Sequence, residues 1–275
     1  MENHFDPNND WRKVASTIYK KPVDSKIFGT IELDVTALET FVLEKRHQGL
    51  KITIMHPMIL FVARALKQEV PALNCYVARG RIVHRKQVDA LVSVLIRGGD
   101  QLGSVRVPEA DKLTLREIAA ILAREVPHSR KGIENKTMGL KNLLAALPWP
   151  FRSWITGFMK WLVIDLGISI PGLGLSPNSF GSFVFSNIGS IGLDVGYAAL
   201  MPFSNLALVL TMGSVQTKPA MLDGQIVPRR ILTLSAVFDH RVVDAAHGGR
   251  LFRYLKRAVR TPYMLEDTGT AASAC

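Results

Sequence analysis

A single α/β domain, a mixed β-sheet flanked by helices, is the fold this 275-residue sequence predicts. Segments of alternating β-forming residues are interleaved with segments of helical apolar spacing, which is the pattern of a sheet covered by helices. No internal repeat is visible. An apolar fraction of 48% at this length supports a sizeable core.

In chain order, Asn9 to Lys21 reads as a short helix capped by Asn9 or Asp10. Lys26 to Asp34 alternates and is a strand. Thr36 opens a helix to about His47, ahead of Gly49. Ile54 to Glu69 has helical spacing and stops before Pro71, because the residue preceding a proline is biased away from the helical region. Cys75 to Val77 and Arg81 to His84 form a hairpin turning at Arg79-Gly80, with a further strand at Val88 to Ile96. Leu113 to Val126 is a helix opened by a capping box, Thr114 with Glu117. Gly181 to Asn187, Asn205 to Met212 and Arg230 to Phe238 are strand-like, and a helix from about Val243 to Arg260 closes the fold.

Lys and Arg outnumber Asp and Glu by 34 to 23, a net charge of +11. That balance calls for an anionic partner: nucleic acid, a membrane surface, a phosphorylated cofactor or an acidic protein. The basic residues are dispersed, with short clusters at Lys20-Lys21 and Arg79-Gly80-Arg81, and show no aromatic-interleaved RNA motif. Nucleic acid is therefore not the expected partner. Two cysteines, Cys75 and Cys275, offer no disulfide framework, and no Cys/His cluster has metal-ligand spacing, so no metal is expected. Met1 to Asp10 is polar and lacks the apolar core of a signal peptide. A cytoplasmic location is expected.

The sharpest local signal is Asp239-His240-Arg241-Val242-Val243-Asp244, between a strand and the final helix. A histidine suits proton transfer near neutral pH because its unperturbed pKa is about 6.5. Asp244, one turn into the helix, is placed to brace the loop that holds the ring. Taken alone, His240 reads more readily as a satisfied, non-catalytic histidine at a turn.

Its surroundings decide the matter. Phe238 to Gly249 (FDHRVVDAAHGG) resembles the signature of the dihydrolipoamide acyltransferases of 2-oxoacid dehydrogenase complexes, whose catalytic domains share their fold with chloramphenicol acetyltransferase. Ser182 to Gly192 (SFVFSNIGSIG) resembles the family's Ser-Asn-hydrophobic-Gly run. Pro202 to Pro219 resembles the strand and Lys-Pro turn that follow it. Upstream, Trp11 to Ala15, Ile31 to Leu38 and Pro71 to Tyr76 fall in the family's order.

The resemblance implies a chloramphenicol acetyltransferase-like fold and coenzyme A-dependent acyl transfer to a thiol or hydroxyl. The acceptor is a lipoyl group on a separate, acidic protein, or a small molecule. His240 is the implied general base, and Ser186 the hydroxyl that hydrogen-bonds the oxyanion, although a turn serine bonding its own backbone has the same sequence. Asp244 is the implied structural acid, in a buried ion pair with Arg12. The family forms trimers with the site between subunits, so His240 and Ser186 can come from different chains. The phosphates of coenzyme A answer part of the positive charge, and no catalytic metal is implied. A structural or scaffolding homologue without turnover is the competing function.

Four departures from the family pattern stand out. Ala245 replaces the usual Gly. The chain starts near the first catalytic-domain motif, so residues 1–275 are expected to be one catalytic domain without lipoyl or subunit-binding domains. The small, polar tail Asp267 to Cys275 leaves Met264-Leu265 as the candidate apolar anchor for larger assemblies. Finally, residues 139–180 form an aromatic-rich insertion. Within it, Phe151, Trp154, Ile155, Phe158, Trp161 and Leu162 share one helical face opposite Arg152, Ser153, Thr156 and Lys160. Lys160 and Asp165 interrupt any membrane-spanning run. Three roles are open for helix 151–166: packing on its own trimer, lying on a membrane surface, or lidding a longer acyl channel.

Overall fold

The computed structural model describes residues 25–96, 101–130, 148, 150–201 and 203–266. The strands are β1 (Lys26–Asp34), β2 (Cys75–Ala78), β3 (Arg81–His84), β4 (Ala90–Ile96), β5 (Gln101–Val107), β6 (Phe183–Asn187), β7 (Leu208–Leu222) and β8 (Gln225–Asp239). The α-helices are α1 (Thr36–His47), α2 (Met55–Gln68), α3 (Leu115–Arg130), α4 (Phe151–Lys160) and α5 (Ala245–Arg260). Six strands form one sheet in the order β1-β8-β7-β6-β4-β5, and β2-β3 form a separate hairpin. β6 is parallel to both β4 and β7, and the other pairs are antiparallel. This is the mixed sheet flanked by helices that the sequence predicts.

One face of the sheet makes the core. Phe183 and Phe185 of β6, Leu208 and Leu210 of β7, and Leu232, Leu234 and Ala236 of β8 all point into it, the period-two alternation of a half-covered sheet. The near-continuous apolar run of α2 has its reason here, since every residue from His56 to Leu66 is buried. The α3 capping box is present: the Thr114 N–H donates to Glu117 Oε2 at 2.8 Å, and the Glu117 N–H returns to Thr114 Oγ1 at 3.3 Å.

The structure corrects several boundaries. α3 runs on through Pro127 to Arg130, and β5 was not expected. β7 and β8 each span 15 residues, well beyond the expected Met212 and Arg230, and turn at Asp223-Gly224 with φ of 49° and 79°. An Asp-Gly pair with both φ positive makes the tight hairpin turn whose twist suits antiparallel strands. Past the end of β6, Pro219 faces Pro228 in a two-stranded arm, where a missing N–H breaks no interior ladder. The expected single helix 151–166 is instead α4 followed by a π-helical turn, Trp161–Asp165. The expected helix 9–21, and with it Arg12, lies outside the described residues.

Candidate active site

His240 leaves the sheet at the end of β8 and is held from both sides. Its backbone N–H donates to the Ser25 carbonyl at 2.7 Å, which ties it to the lead-in of β1. Around it, Arg241 closes back on Asp239: Nη2 lies 2.6 Å from Asp239 Oδ2, and the Arg241 N–H donates to Asp239 Oδ1 at 3.0 Å. Asp239 is buried, so a fixed carboxylate–guanidinium clasp brackets the histidine. Sequence reasoning passed over this pair, although the tripeptide Asp-His-Arg contains it. The His240 ring is half open to solvent, with Nδ1 at 3.4 Å from Asp244 Oδ1. The other ring nitrogen, Nε2, takes no hydrogen bond among the described residues.

Asp244 precedes the first residue of α5, in extended conformation. Its N–H donates to His247 Nδ1 at 3.1 Å, so His247 closes the helix start, a second role absent from the sequence reading. The Asp244 carboxylate is 72% exposed, at a helix N-terminus where negative charge is favoured.

Ser186 sits near the end of β6, directly opposite Thr211 of β7, which is opposite Ser235 of β8, which is opposite Thr30 of β1. Phe183 and Phe185 face the core, so alternation puts Ser186 on the helix-free face. Thr30 Oγ1 donates to Ser235 Oγ at 3.2 Å, and Tyr197 Oη lies 2.5 Å from Thr30 Oγ1. A row of hydroxyls thus crosses four strands. Among the described residues the Ser186 hydroxyl itself takes no hydrogen bond, which is unlike a turn serine bonded to its own backbone.

The structure brings His240 and Asp244 together, but Ser186 stands apart from them in the same chain. His240 is five positions beyond Ser235, which puts it about 17 Å along the strands and about 10 Å across them from Ser186. A cleft of about 520 Å³, lined by Val42, Leu43, Met55, Asn187, Ser190 and Met212 among others, holds none of the three residues. Cys75 is no nucleophile: burial pushes its thiol up to about 11, and its Sγ bonds the Ala72 carbonyl. Among the described residues no group of His, Cys, Asp or Glu could hold a metal ion.

The sheet, the helices on one face and the histidine at the β8 exit define the catalytic-domain fold of the dihydrolipoamide acyltransferases, the class to which the chain is similar. Residues 175–266, which contain β6, β7, β8 and α5, match the model of the 2-oxoacid dehydrogenases acyltransferase (catalytic domain) family. The dihydrolipoyllysine-residue acetyltransferase component of the pyruvate dehydrogenase complex of Mycoplasma capricolum is 33% identical over 84 residues, 30% of this chain. This chain's match spans 19% of that relative's length. A crystal structure of a probable dihydrolipoamide acetyltransferase from Listeria monocytogenes superposes with a TM-score of 0.64 at 20% identity, covering 94% of this chain and 95% of that one. The dihydrolipoamide acetyltransferase of Azotobacter vinelandii, studied for the role of a serine, a histidine and an asparagine in its mechanism, gives a TM-score of 0.62 at 20% identity, covering 88% and 84%.

Proposed function

We propose that the protein is a coenzyme A-dependent acyltransferase that moves an acyl group between coenzyme A and a thiol, with a dihydrolipoyl group as the first choice of acceptor. The observation that carries this reading is the open His240 ring, clasped by Asp239–Arg241 and faced by Asp244 at 3.4 Å. The Azotobacter enzyme's serine, histidine and asparagine support it, since its histidine follows the serine by 52 positions and precedes the asparagine by four. Here Ser186 precedes His240 by 54 and Asp244 follows it by four.

In this mechanism His240 Nε2 takes the proton of the attacking thiol, and the thiolate adds to the thioester carbonyl carbon. Ser186 donates its hydroxyl hydrogen bond to the oxyanion of the tetrahedral intermediate. The intermediate collapses, the carbon–sulfur bond to the outgoing thiol breaks, and His240 returns the proton to that sulfur. One such oxyanion donor contributes about 2.7–4 kcal/mol elsewhere.

Ser186 and His240 are too far apart to act in one chain, so the site is completed between copies of the chain, in a homotrimer. The Asp244 carboxylate is 72% exposed, which corrects the expected burial of its pair with Arg12; the pairing itself stays in the proposal as an exposed one. Residues 1–275 act as one catalytic domain with 139–180 inserted in it, and a lipoyl group is the acceptor it meets. A reducing, cytoplasmic setting suits a reaction that runs on free thiols. A membrane surface met through residues 151–166 is a second partner. A scaffold without turnover has no use for an open histidine and a hydroxyl that has no partner among the described residues on the helix-free face.

Thiol release from a panel of acyl-CoA substrates, with dihydrolipoamide as acceptor, tests the reading. His240→Ala is expected to lower turnover about 10²–10⁴-fold with the melting temperature unchanged. Near wild-type turnover in that variant, with every acyl-CoA tried, excludes His240 as the base.

A further inference from the structure

We propose that α4 and the turn after it dock on an anionic lipid surface, with the β2–β3 hairpin as the basic flank. This rests on the partner reading above and specifies its chemistry. Phe151, Trp154, Ile155, Phe158 and Trp161 are 54%, 66%, 39%, 59% and 50% exposed, on a single stripe of the helix. In a water-soluble domain a stripe of this spacing turns inward. Here it turns outward, and Thr156, Met159 and Lys160 are the less exposed residues.

The aromatic rings touch in two pairs, Phe151 with Trp154 at 5.8 Å and Phe158 with Trp161 at 5.9 Å between centroids, along this apolar ridge. The ridge is anchored at its C-terminal end. Val163 and Ile164 are buried, the Arg79 N–H donates to the Asp165 carbonyl at 2.6 Å, and Arg79 Nε donates to the Leu166 carbonyl at 2.9 Å. Ile168 and Leu173 extend the exposed apolar surface beyond the turn.

Charge names the occupant. Residues 75–88 carry no acidic residue; Arg79, Arg81 and Lys86 are exposed there while Arg85 is buried, and Arg79 and Arg81 lie at the hairpin turn that holds the helix end. A second copy docking ridge to ridge brings two such turns together in a chain that already carries +11. An anionic bilayer answers both features: tryptophan and phenylalanine lie at the headgroup boundary, and arginines meet the lipid charge. The contact lies along the surface, since no described helix is long and apolar enough to cross a membrane.

The test is co-sedimentation of the full chain with vesicles of equal parts phosphatidylglycerol and phosphatidylcholine, against vesicles of phosphatidylcholine alone. The protein is expected to pellet with the first and not the second, and less as salt is raised. The double variant Trp154→Ser/Phe158→Ser is expected to lose binding at least ten-fold. Arg81→Gln, which leaves the helix intact, is expected to weaken it about five-fold. Failure of the wild type to pellet, or pelleting unchanged in both variants, overturns the proposal. So does a lower molecular mass of the double variant in solution, which assigns the ridge to a contact between copies. Thiol release from soluble acetyl-CoA, measured on the same samples, is read separately. Normal release without vesicle binding defeats the docking alone, and vesicle binding without release defeats the acyl-transfer reading alone.

Discussion

The Asp89 side chain is buried at the lead-in to β4 and gathers hydrogen bonds from Gln87 Nε2 at 2.8 Å, the Glu109 N–H at 2.9 Å and Arg106 Nε at 3.1 Å. Its own N–H donates to Ser182 Oγ at 3.0 Å, so this residue also sets where β6, and therefore Ser186, begins. Burial pushes the Asp89 carboxyl up, but the hydrogen bonds from Arg106, Gln87 and Glu109 outweigh it and hold the pKa below its ordinary 3.8. A depressed folded-state value means that the stabilisation is complete above the unfolded value and disappears as pH falls through the folded one. Asp89→Asn is expected to cost about 1.5–3 kcal/mol at pH 7, read by urea unfolding. The gap between the two proteins is expected to close at the acid end, below about pH 4. A gap that is the same at pH 7 and pH 3 removes the ionised carboxylate from the account. At this scale His240 and Asp244 were legible because both lie in one short motif, whereas the support of Ser186 was not. Asp89 and Ser182 are 93 positions apart, and only the sheet brings them together.

Between β6 and β7 the backbones close to a distance that only glycine permits. A Cβ on Gly189 meets the Gly213 carbonyl carbon and oxygen and the Ser214 nitrogen at 2.6 Å, and a Cβ on Gly213 meets the Asp194 carbonyl oxygen at 1.9 Å. Those atoms are backbone and cannot swing away. The contact coincides with the register shift between Met212 and Val215, so Gly189 sets how the exit of the Ser186 strand seats on β7. Gly189→Ala is therefore expected to destabilise the fold by about 3 kcal/mol and to lower thiol release at least ten-fold, checked by thermal melting and the acyl-CoA assay. A variant with unchanged melting temperature and rate shows that the close approach is not needed. Among the elements, β1 and α1 match their predicted residues because alternation and helical spacing are local properties. β5 escaped because Gln101, Gly103 and Ser104 weaken its strand pattern, and it forms by pairing with β4. The long β7–β8 arm escaped although Asp223-Gly224, a strong hairpin signal, marks its turn.

For the whole molecule, the sheet order decides what one chain can do. β7 and β8 stand between Ser186 and the edge strand β1, and His240 leaves the sheet five positions away from the hydroxyl row. A single chain therefore presents the open histidine at one place and the Ser186 hydroxyl at another, which under the proposed function makes it half of two sites. The proposed site between copies rests on the sequence resemblance, and spacing along the chain could not give the Ser186–His240 separation, because that distance is set by strand register. The β-sheet's helix-free face also leaves Phe28 and Tyr197 exposed and in edge-to-face contact at 5.3 Å, an aromatic pair suited to cover by a neighbouring copy.

Mixed assembly of two inactive chains tests the shared site most directly. His240→Ala and Ser186→Ala chains, each nearly inactive alone, are unfolded together in equal amounts, refolded, and assayed for thiol release from acetyl-CoA. In a ring of three, a site is whole when a chain that keeps His240 meets a neighbour that keeps Ser186, so about a quarter of sites are restored by random mixing. The account predicts recovery of about a quarter of wild-type activity in the mixture, and none when the two refolded proteins are combined without unfolding. Activity that never rises above the two single variants, in mixtures shown by mass to contain both chains, contradicts it.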